Sequence, residues 1–367
     1  MQFYRLLNSF CVVLLLSSTP LMAVETVTML DRGEPYEAMV SDAGLLWVGK
    51  SRQQFSANYL LEVYDSSGSL IDRKTLTHSL STMKLGSSGE VIVTGINPNL
   101  RLTEYTSAKL ENGKIQTSTK TVDIDAFITF WIGKIGSTEY FVDIGGNPND
   151  TSDPGQQLPA QTIFSSKGTN VHYLPARVSM PVAGTIAGGK LLMVSSKGIS
   201  QDGSSIVEVD PTSSATRVIT KSASARYRGI QYLSSTRELL TLASRENKLR
   251  VIDSISGEIR REFSTNGFPR SFVTFGHCVI VGGDETNVVE AFDLSSQSDV
   301  PVFLTKVDLP VDEFSGIKSL AIDQNSGVMF ARSSYACNPI LEACDKDNNR
   351  IIKFDSSTAS ELTSACK

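Results

Sequence analysis

Short runs of hydrophobic residues alternate with polar turn residues along almost the whole chain. The runs are rich in β-branched and aromatic residues, and clusters of Gly, Ser, Asn and Asp separate them. Alternation over about four to eight residues is typical of half-buried β-strands, whereas an amphipathic helix repeats every three or four residues. Helical spacing is nearly absent after residue 23. The pattern therefore predicts an all-β protein.

One sequence unit recurs along the chain: an alternating strand that ends in Asp, a Ser/Gly turn and a second strand. Clear copies are LLEVYDSSGSLI at 60–71, SIVEVDPTSSATRVI at 205–219 and KLRVIDSISGEIRREF at 248–263. The Asp side chain can accept hydrogen bonds from backbone N–H groups two or three residues later, which favours a tight turn. A pair of strands precedes each copy, as in RGIQYLSSTRELLTLAS at 228–244. Each unit thus predicts four antiparallel strands, A to D, with a structural Asp at the end of strand C.

The unit recurs at the spacing of a β-propeller blade. The residues that mark the end of strand C are Asp65, Thr106, Ser165, Asp210, Asp253, Asp293 and Asp355, which are 40 to 62 residues apart. Four-stranded blades repeat every 40 to 50 residues or so, roughly the observed step. We therefore predict a seven-bladed β-propeller that forms a single domain over residues 24–367. A two-domain sandwich is the alternative, but it does not explain why one pattern runs from residue 36 to the end without a linker.

Closing such a ring requires one further strand, so that no sheet edge is left open between the first and last blades. Two segments can supply it. They are VETVTML at 24–30 and ELTSACK at 361–367, and the sequence does not decide between them.

Two insertions indicate which face of the propeller binds. They occupy residues 146–160 and 335–349, and both fall between strands B and C of their units. In a propeller the B–C and D–A connections share one face, and long loops on a rigid scaffold often carry binding residues. The D–A connections add aromatic and Arg side chains, which are enriched at interaction hot spots. The predicted rim of the channel consists of Tyr36, Tyr227, Arg228, Phe268 and Arg270.

The first 23 residues have the composition of a cleavable signal peptide. Arg5 provides a positive charge ahead of the apolar run 10–16, and the small residue Ala23 precedes the predicted cleavage point. The apolar run is shorter than the roughly 20 residues that span a bilayer, and no later segment approaches that length. The mature protein is therefore predicted to be periplasmic or secreted, without a membrane span.

The cysteines agree with an oxidising compartment. Four remain after residues 1–23 are removed, and an even number in an exported chain suggests disulfides. Cys337 and Cys344 flank a short loop and form the simplest pair, which leaves Cys278 with Cys366. The alternative for Cys278, inside the apolar run CVIV, is a buried free thiol.

Charge and composition limit the partners, catalytic sites and cofactors that the sequence can support. A net charge of -5 and the lack of a basic stripe argue against a nucleic-acid partner. The three histidines stand apart, and no nucleophile-elbow or zinc motif occurs. No cofactor is predicted apart from calcium, for which Asp345, Asp347 and Asn349 offer oxygen ligands at alternate positions. Because Arg350 stands where an EF-hand loop needs Gly, an ordinary polar loop is the alternative interpretation.

The end of strand C, with its hydrophobic alternation, Asp and Ser/Gly turn, resembles the YVTN-type and quinoprotein-like propeller repeats of exported bacterial proteins. No copy carries YVTN itself, and VIVTG at 91–95 only approaches it. The Gly-His and Trp-Asp marks of WD40 repeats are also missing. The resemblance implies a seven-bladed propeller of the cell envelope, but this fold supports many functions.

Three functions fit these features. The favoured one is a binding or scaffold module that recognises a protein or glycan partner on the face with the long loops, because the sequence contains no catalytic constellation. The first alternative is a propeller enzyme, either a calcium-dependent lactonase-like hydrolase or a quinone-dependent dehydrogenase. The second alternative is a structural component of a cell-envelope or surface assembly.

Overall fold

Seven four-stranded antiparallel sheets follow one another along the chain, as predicted. They are seen in a computed structural model that describes residues 28–32, 36–51, 59–86, 88–125, 129–143, 161–167, 170–174, 181–196, 204–283, 286–296, 298–306, 315–335 and 350–367. The predicted signal peptide lies outside the described residues. Within them, no helix has the length and apolarity needed to cross a membrane.

Each of the first six blades is built from four consecutive strands. Blades 1 to 3 consist of β2 (Tyr36–Asp42), β3 (Leu45–Ser51), β4 (Tyr59–Tyr64) and β5 (Leu70–Leu76); β6 (Thr82–Leu85), β7 (Val91–Asn97), β8 (Leu102–Glu111) and β9 (Lys114–Asp125); and β10 (Thr129–Ile135), β11 (Thr138–Asp143), β12 (Gln161–Ser165) and β13 (Asn170–Leu174). Blades 4 to 6 consist of β14 (Pro181–Ala187), β15 (Lys190–Ser196), β16 (Ser204–Val209) and β17 (Thr216–Ser222); β18 (Tyr227–Leu233), β19 (Glu238–Ala243), β20 (Lys248–Asp253) and β21 (Ile259–Ser264); and β22 (Pro269–Phe275), β23 (Cys278–Gly283), β24 (Val288–Asp293) and β25 (Phe303–Lys306).

Blade 7 joins the two ends of the domain. It consists of β26 (Ser315–Ile322), β27 (Met329–Tyr335), β28 (Arg350–Lys353) and β1 (Thr28–Arg32). The strand β1 pairs antiparallel with β28 and forms the outer edge of the sheet. Of the two segments able to close the ring, the N-terminal one therefore does so.

The C-terminal tail forms a helix and not a strand. Helix α1 (Ser356–Cys366) follows β28 and begins at Asp355, whose carboxylate accepts a hydrogen bond from the Thr358 N–H (2.8 Å). Such an N-cap satisfies a backbone donor that a helix leaves open. Leu362 and Cys366 lie one turn apart and are both fully buried. Helix α1 thus covers the core between blades 6 and 7.

Hydrophobic side chains on the two faces of each sheet pack against different neighbours. In β19, Leu239 belongs to the core between blades 4 and 5, whereas Leu240 belongs to the core between blades 5 and 6. The described residues form seven such cores, one at every junction of adjacent blades. Because both faces are buried, the middle strands are mostly apolar; all six residues of β19 are buried, and four of them are hydrophobic. Stacked or tilted aromatic pairs fill two junctions, such as Phe263 with Phe292 at 5.2 Å.

The Asp residues at the ends of the C strands shape turns, as predicted. The Asp253 carboxylate accepts hydrogen bonds from the N–H groups of Ile255 and Ser256, both at 2.8 Å. These bonds favour the charged carboxylate and lower the pKa of Asp253 to about 2. Asp65 makes the equivalent bonds in blade 1.

Blade 2 departs from the predicted register. Strand β8 does not end at Thr106 but continues to Glu111, and the turn falls at Asn112 and Gly113. Both turn residues have positive φ (52° and 73°), the conformation that a two-residue hairpin favours and that Asn-Gly adopts readily. The Asn-Gly pair therefore outweighs the weak similarity of this segment to the repeat.

A disulfide attaches the C-terminal helix to blade 6. Cys278, at the start of β23, bonds to Cys366, at the end of α1, with the two Cα atoms 5.3 Å apart. The predicted pair Cys337 and Cys344 lies outside the described residues. The longer bridge links positions 88 residues apart, so it restricts the unfolded chain strongly.

We expect the double variant Cys278→Ala/Cys366→Ala to lose about 2–5 kcal/mol of unfolding free energy, because the unfolded chain gains entropy. Urea denaturation measures the change. Reductant should lower the urea midpoint of the wild type and of the control variant Cys337→Ala/Cys344→Ala. In Cys278→Ala/Cys366→Ala, reductant should change the midpoint only as far as Cys337 and Cys344 form a bridge of their own. A double variant as stable as the oxidised wild type would contradict this assignment.

Candidate functional site

The strand order determines which connections share a face of the ring. The A strands of neighbouring blades contact one another around the centre, and successive strands of each blade run in opposite directions. The A–B and C–D connections therefore lie at one face, and the B–C and D–A connections lie at the other, which we call the loop face. The connections β11–β12 and β27–β28, which contain the two insertions, belong to the loop face.

Most of these insertions lies outside the described residues, which begin again at Gln161 and Arg350. The predicted calcium ligands Asp345, Asp347 and Asn349 lie there as well.

A β-bulge recurs where strand A leaves the loop face. In six blades the A–B pairing skips one residue near the start of strand A. The skipped residues are Glu37, Ile132, Val182, Gly229, Arg270 and Lys318. A bulge changes the direction in which side chains leave the strand, and bulges are common next to functional sites. In blades 6 and 7 this position is cationic, and in blade 5 Arg228 directly precedes it.

Arg228 and Phe268 contact each other between blades 5 and 6. The Arg228 guanidinium lies 5.1 Å from the centre of the Phe268 ring, within the range of a cation–π interaction. Arg228 is only 9% exposed, and its Nε–H has no acceptor among the described residues. Ser244, in the 3-10 turn Ser244–Glu246 after β19, donates a hydrogen bond to the carbonyl of Pro269 (2.5 Å). This bond fixes the backbone between Phe268 and Arg270.

Further cations surround this pair. Burial, and after it the charges of Arg270 and Arg226, lower the pKa of Arg228 to about 9. Burial and three guanidinium groups lower the pKa of Lys318 to about 8. These groups belong to Arg270, Arg332 and Arg228. Arg270 is exposed, yet the surrounding protein still lowers its pKa through desolvation. Burial and two arginines, of which Arg245 is the stronger, lower the pKa of Arg226. We call this group the cationic sector: Arg226, Arg228, Arg245, Arg270, Lys318 and Arg332.

Three of the five predicted rim residues meet at this place. They are Arg228, Phe268 and Arg270. Tyr227 lies instead in the core between blades 4 and 5, only 1% exposed. Its hydroxyl accepts a hydrogen bond from Arg250 Nη1 (3.2 Å). Tyr36 is the first residue of β2, at the loop-face end of blade 1.

The predicted rim contained only Arg228 and Arg270 of the six cations in this sector. Arg245 lies in a B–C connection, Lys318 at a bulge and Arg332 in strand B of blade 7, so no local motif joins them. The available sign was a single charged residue inside each otherwise uncharged segment, IKSLA at 317–321 and MFARSSY at 329–335.

A cavity of about 580 Å³ opens at the opposite face between blades 2, 3 and 4. Lys84 lines it and donates a hydrogen bond from Nζ to the Gly184 carbonyl (2.6 Å), and burial lowers the pKa of Lys84 to about 8. Trp131 Nε1 donates to Glu139 (2.8 Å), and both residues line the cavity. No sequence motif indicated this cavity.

The histidines among the described residues have structural surroundings. His78 is fully buried, and both ring nitrogens have partners there: Nδ1 donates to the Ser79 carbonyl (2.7 Å), and Nε2 bonds to the Thr106 hydroxyl (2.7 Å). His277 lies in the turn between β22 and β23, 3.7 Å from the Asp293 carboxylate. Across the described ranges, no three His, Cys, Asp or Glu side chains are grouped so as to hold a metal ion.

No protein-family model and no curated protein matches the chain. Solved structures resemble its fold. Raptor from Chaetomium thermophilum has a TM-score of 0.60 and 11% identity, over 89% of this chain and 29% of that one. Sqt1 from Saccharomyces cerevisiae has a TM-score of 0.54 and 10% identity, over 90% of this chain and 98% of that one. The computationally designed protein Ika8 has a TM-score of 0.55 and 8% identity, over 89% of this chain and 98% of that one.

At such identities the similarity shows the propeller fold alone. Moreover, the chain spans less than a third of Raptor. The resemblance to YVTN-type and quinoprotein-like repeats stays a prediction.

We expect Tyr227→Ala to destabilise the protein far more than Phe268→Ala. Tyr227 fills a core, where removing a large side chain costs about 3–5 kcal/mol, whereas Phe268 is half-buried at the surface. Tyr227→Phe removes only a hydrogen bond and should cost about 1 kcal/mol. Urea denaturation of the three variants measures the order. Equal losses for the two alanine variants would place Tyr227 outside the core.

Proposed function

We propose that this protein is an exported binding module that holds a protein or glycan partner on its loop face, at the channel mouth of blades 5 to 7. The observation that carries the proposal is the contact of Arg228 with Phe268 inside the cationic sector. Arginine and aromatic side chains supply much of the energy of protein interfaces when they lie in partly desolvated places. Arg270 lies exposed beside this contact.

The rigidity of the scaffold supports this proposal. Arg228 and Arg270 belong to strands paired on one side and packed against neighbouring blades, and Ser244 fixes the connection between them. A partner therefore meets side chains whose conformational entropy is already reduced, and less free energy is lost on binding. The long connections β11–β12 and β27–β28 join strand ends at the same face, and long loops on a rigid scaffold often carry binding residues.

The proposed location is the periplasm or the extracellular space. It rests on the signal-peptide pattern of residues 1–23 and on the bridge between Cys278 and Cys366. Disulfides of this kind persist in oxidising compartments and are rare in the reducing cytosol. Calcium binding at Asp345, Asp347 and Asn349 stays a separate proposal, which a metal analysis of the dialysed protein tests.

The proposal predicts that surface changes at the channel mouth abolish capture of the partner. The immobilised mature protein is incubated with an extract of its own compartment and, in parallel, with a glycan array. We expect Phe268→Ala/Arg270→Ala to reduce retention of the species bound by the wild type at least about tenfold, equivalent to about 1.4 kcal/mol. Both residues are at least partly exposed, so the melting temperature should change little.

Arg237→Ala provides the matched control. Arg237 is exposed in the A–B turn of blade 5, on the opposite face. It should retain the wild-type set of bound species. Equal retention by the wild type and Phe268→Ala/Arg270→Ala would refute the proposed face.

A further inference from the structure

The cationic sector concentrates positive charge on a protein that is negative overall. Its six side chains come from three adjacent blades, although the chain carries a net charge of -5. Lys318 lies within electrostatic range of three arginines, and Arg226 within range of two. Like charges held together in this way repel one another, and a bound anion reduces this repulsion.

Two carboxylates of blades 5 and 6 are engaged with other groups. Glu246 accepts hydrogen bonds from Arg250 and Ser224. Glu290 accepts hydrogen bonds from the backbone N–H of Asn266 (2.7 Å) and from its side chain (2.8 Å). Among the described residues, neither Arg226 nor Arg228 therefore has a carboxylate partner. The buried Nε–H of Arg228 is a donor that the described protein leaves unused, and such donors are costly without an acceptor.

We propose that the cationic sector binds an acidic segment of a partner polypeptide. The Asp and Glu carboxylates of the partner accept hydrogen bonds from Arg226 and Arg228, and the charges of the other four cations add to the attraction. This inference rests on the proposed function, because it names the chemistry of the partner held at the loop face. Arginine suits the task because its planar guanidinium binds a carboxylate through two parallel hydrogen bonds.

The spacing and composition of the sector favour a peptide over a sugar chain. Its cations lie close enough to lower one another's pKa, so they can attract several carboxylates of one segment. In an extended peptide, alternate residues present their carboxylates to the same side. A neutral sugar needs hydrogen-bond acceptors and an open aromatic face. The sector's side chains offer donors only, and Arg228 already covers one face of Phe268.

Fluorescence anisotropy with a labelled hepta-glutamate peptide tests the inference on the full mature protein. We expect the wild type to bind hepta-glutamate and not hepta-glutamine, with affinity falling as salt rises from about 50 to 300 mM because the charges are screened. Arg226→Glu/Arg270→Glu should weaken binding at least about tenfold. The control Arg237→Glu, with the same kind of charge change on the opposite face, should bind within about twofold of the wild type.

Failure of this inference is distinguishable from failure of the proposed function. Suppose that Phe268→Ala/Arg270→Ala loses the natural partner, but excess hepta-glutamate does not displace this partner from the wild type. The loop face would then be confirmed as the binding site, and the assignment of an acidic peptide would be wrong. Equal weakening by Arg226→Glu/Arg270→Glu and Arg237→Glu would also overturn the assignment. So would tighter binding of hexagalacturonate or tripolyphosphate than of hepta-glutamate, which would identify an anionic sugar or a phosphate as the ligand.

One acidic stretch of the chain itself requires a separate control. Asp308, Asp312 and Glu313 belong to the connection between β25 and β26, which lies outside the described residues. Asp308→Asn/Asp312→Asn/Glu313→Gln removes negative charge from this connection. The inference predicts that this variant binds hepta-glutamate at least as tightly as the wild type. Weaker binding would contradict it.

Discussion

Each blade buries its two faces only against its neighbours, and the rest of the structure depends on this mutual burial. A four-stranded sheet has no core of its own, so the hydrophobic core at every junction needs an intact blade on each side. The last blade must also pack against the first, because otherwise both would leave a hydrophobic face exposed. The pairing of β1 with β28 supplies the closure at the outer edge of blade 7. On the A–B face, the Asp323 carboxylate accepts the Gly44 N–H (2.6 Å) and links blade 7 to blade 1 a second time.

Closure also explains how the loop face is built. With both faces of each sheet buried, the positions that remain at the surface are the connections and the ends of the inner strands. In six blades a bulge adds one residue to the inner strand. In blade 3 this residue is Ile132, which packs in the core, whereas in blades 6 and 7 it is Arg270 and Lys318. The ring is therefore regular in its core and asymmetric at its mouth.

The repeated elements of the fold could be predicted from the sequence because each repeat carries its own local cause. The turn after Asp253, for example, needs only the Asp253 carboxylate and the N–H groups two and three residues later, which donate hydrogen bonds to it. The tail was harder, since the Ser, Ala and Leu of α1 are compatible with a strand until Asp355 caps the helix. The disulfide partner of Cys278 could be inferred only by pairing what remained.

The site was predictable only in part, for a reason of geometry. Tyr227 and Arg228 are neighbours in sequence, and adjacent residues of a strand point to opposite sides, so one fills a core and the other joins the cationic sector. The position of a bulge cannot be read from the alternation alone. Lys318 and Arg332 belong to different strands of blade 7, and Lys318 comes within range of Arg228 and Arg270 only once blades 5 to 7 pack side by side.

The central claim is that the closed ring binds its partner at the loop-face ends of blades 5 to 7. Hydrogen–deuterium exchange of the free and partner-bound protein measures this directly. The account predicts slower exchange on binding in residues 226–230, 244–247 and 267–271, and unchanged exchange in the A–B turns at 234–237 and 276–277. Protection of those A–B turns, with no change at the loop-face segments, would contradict it.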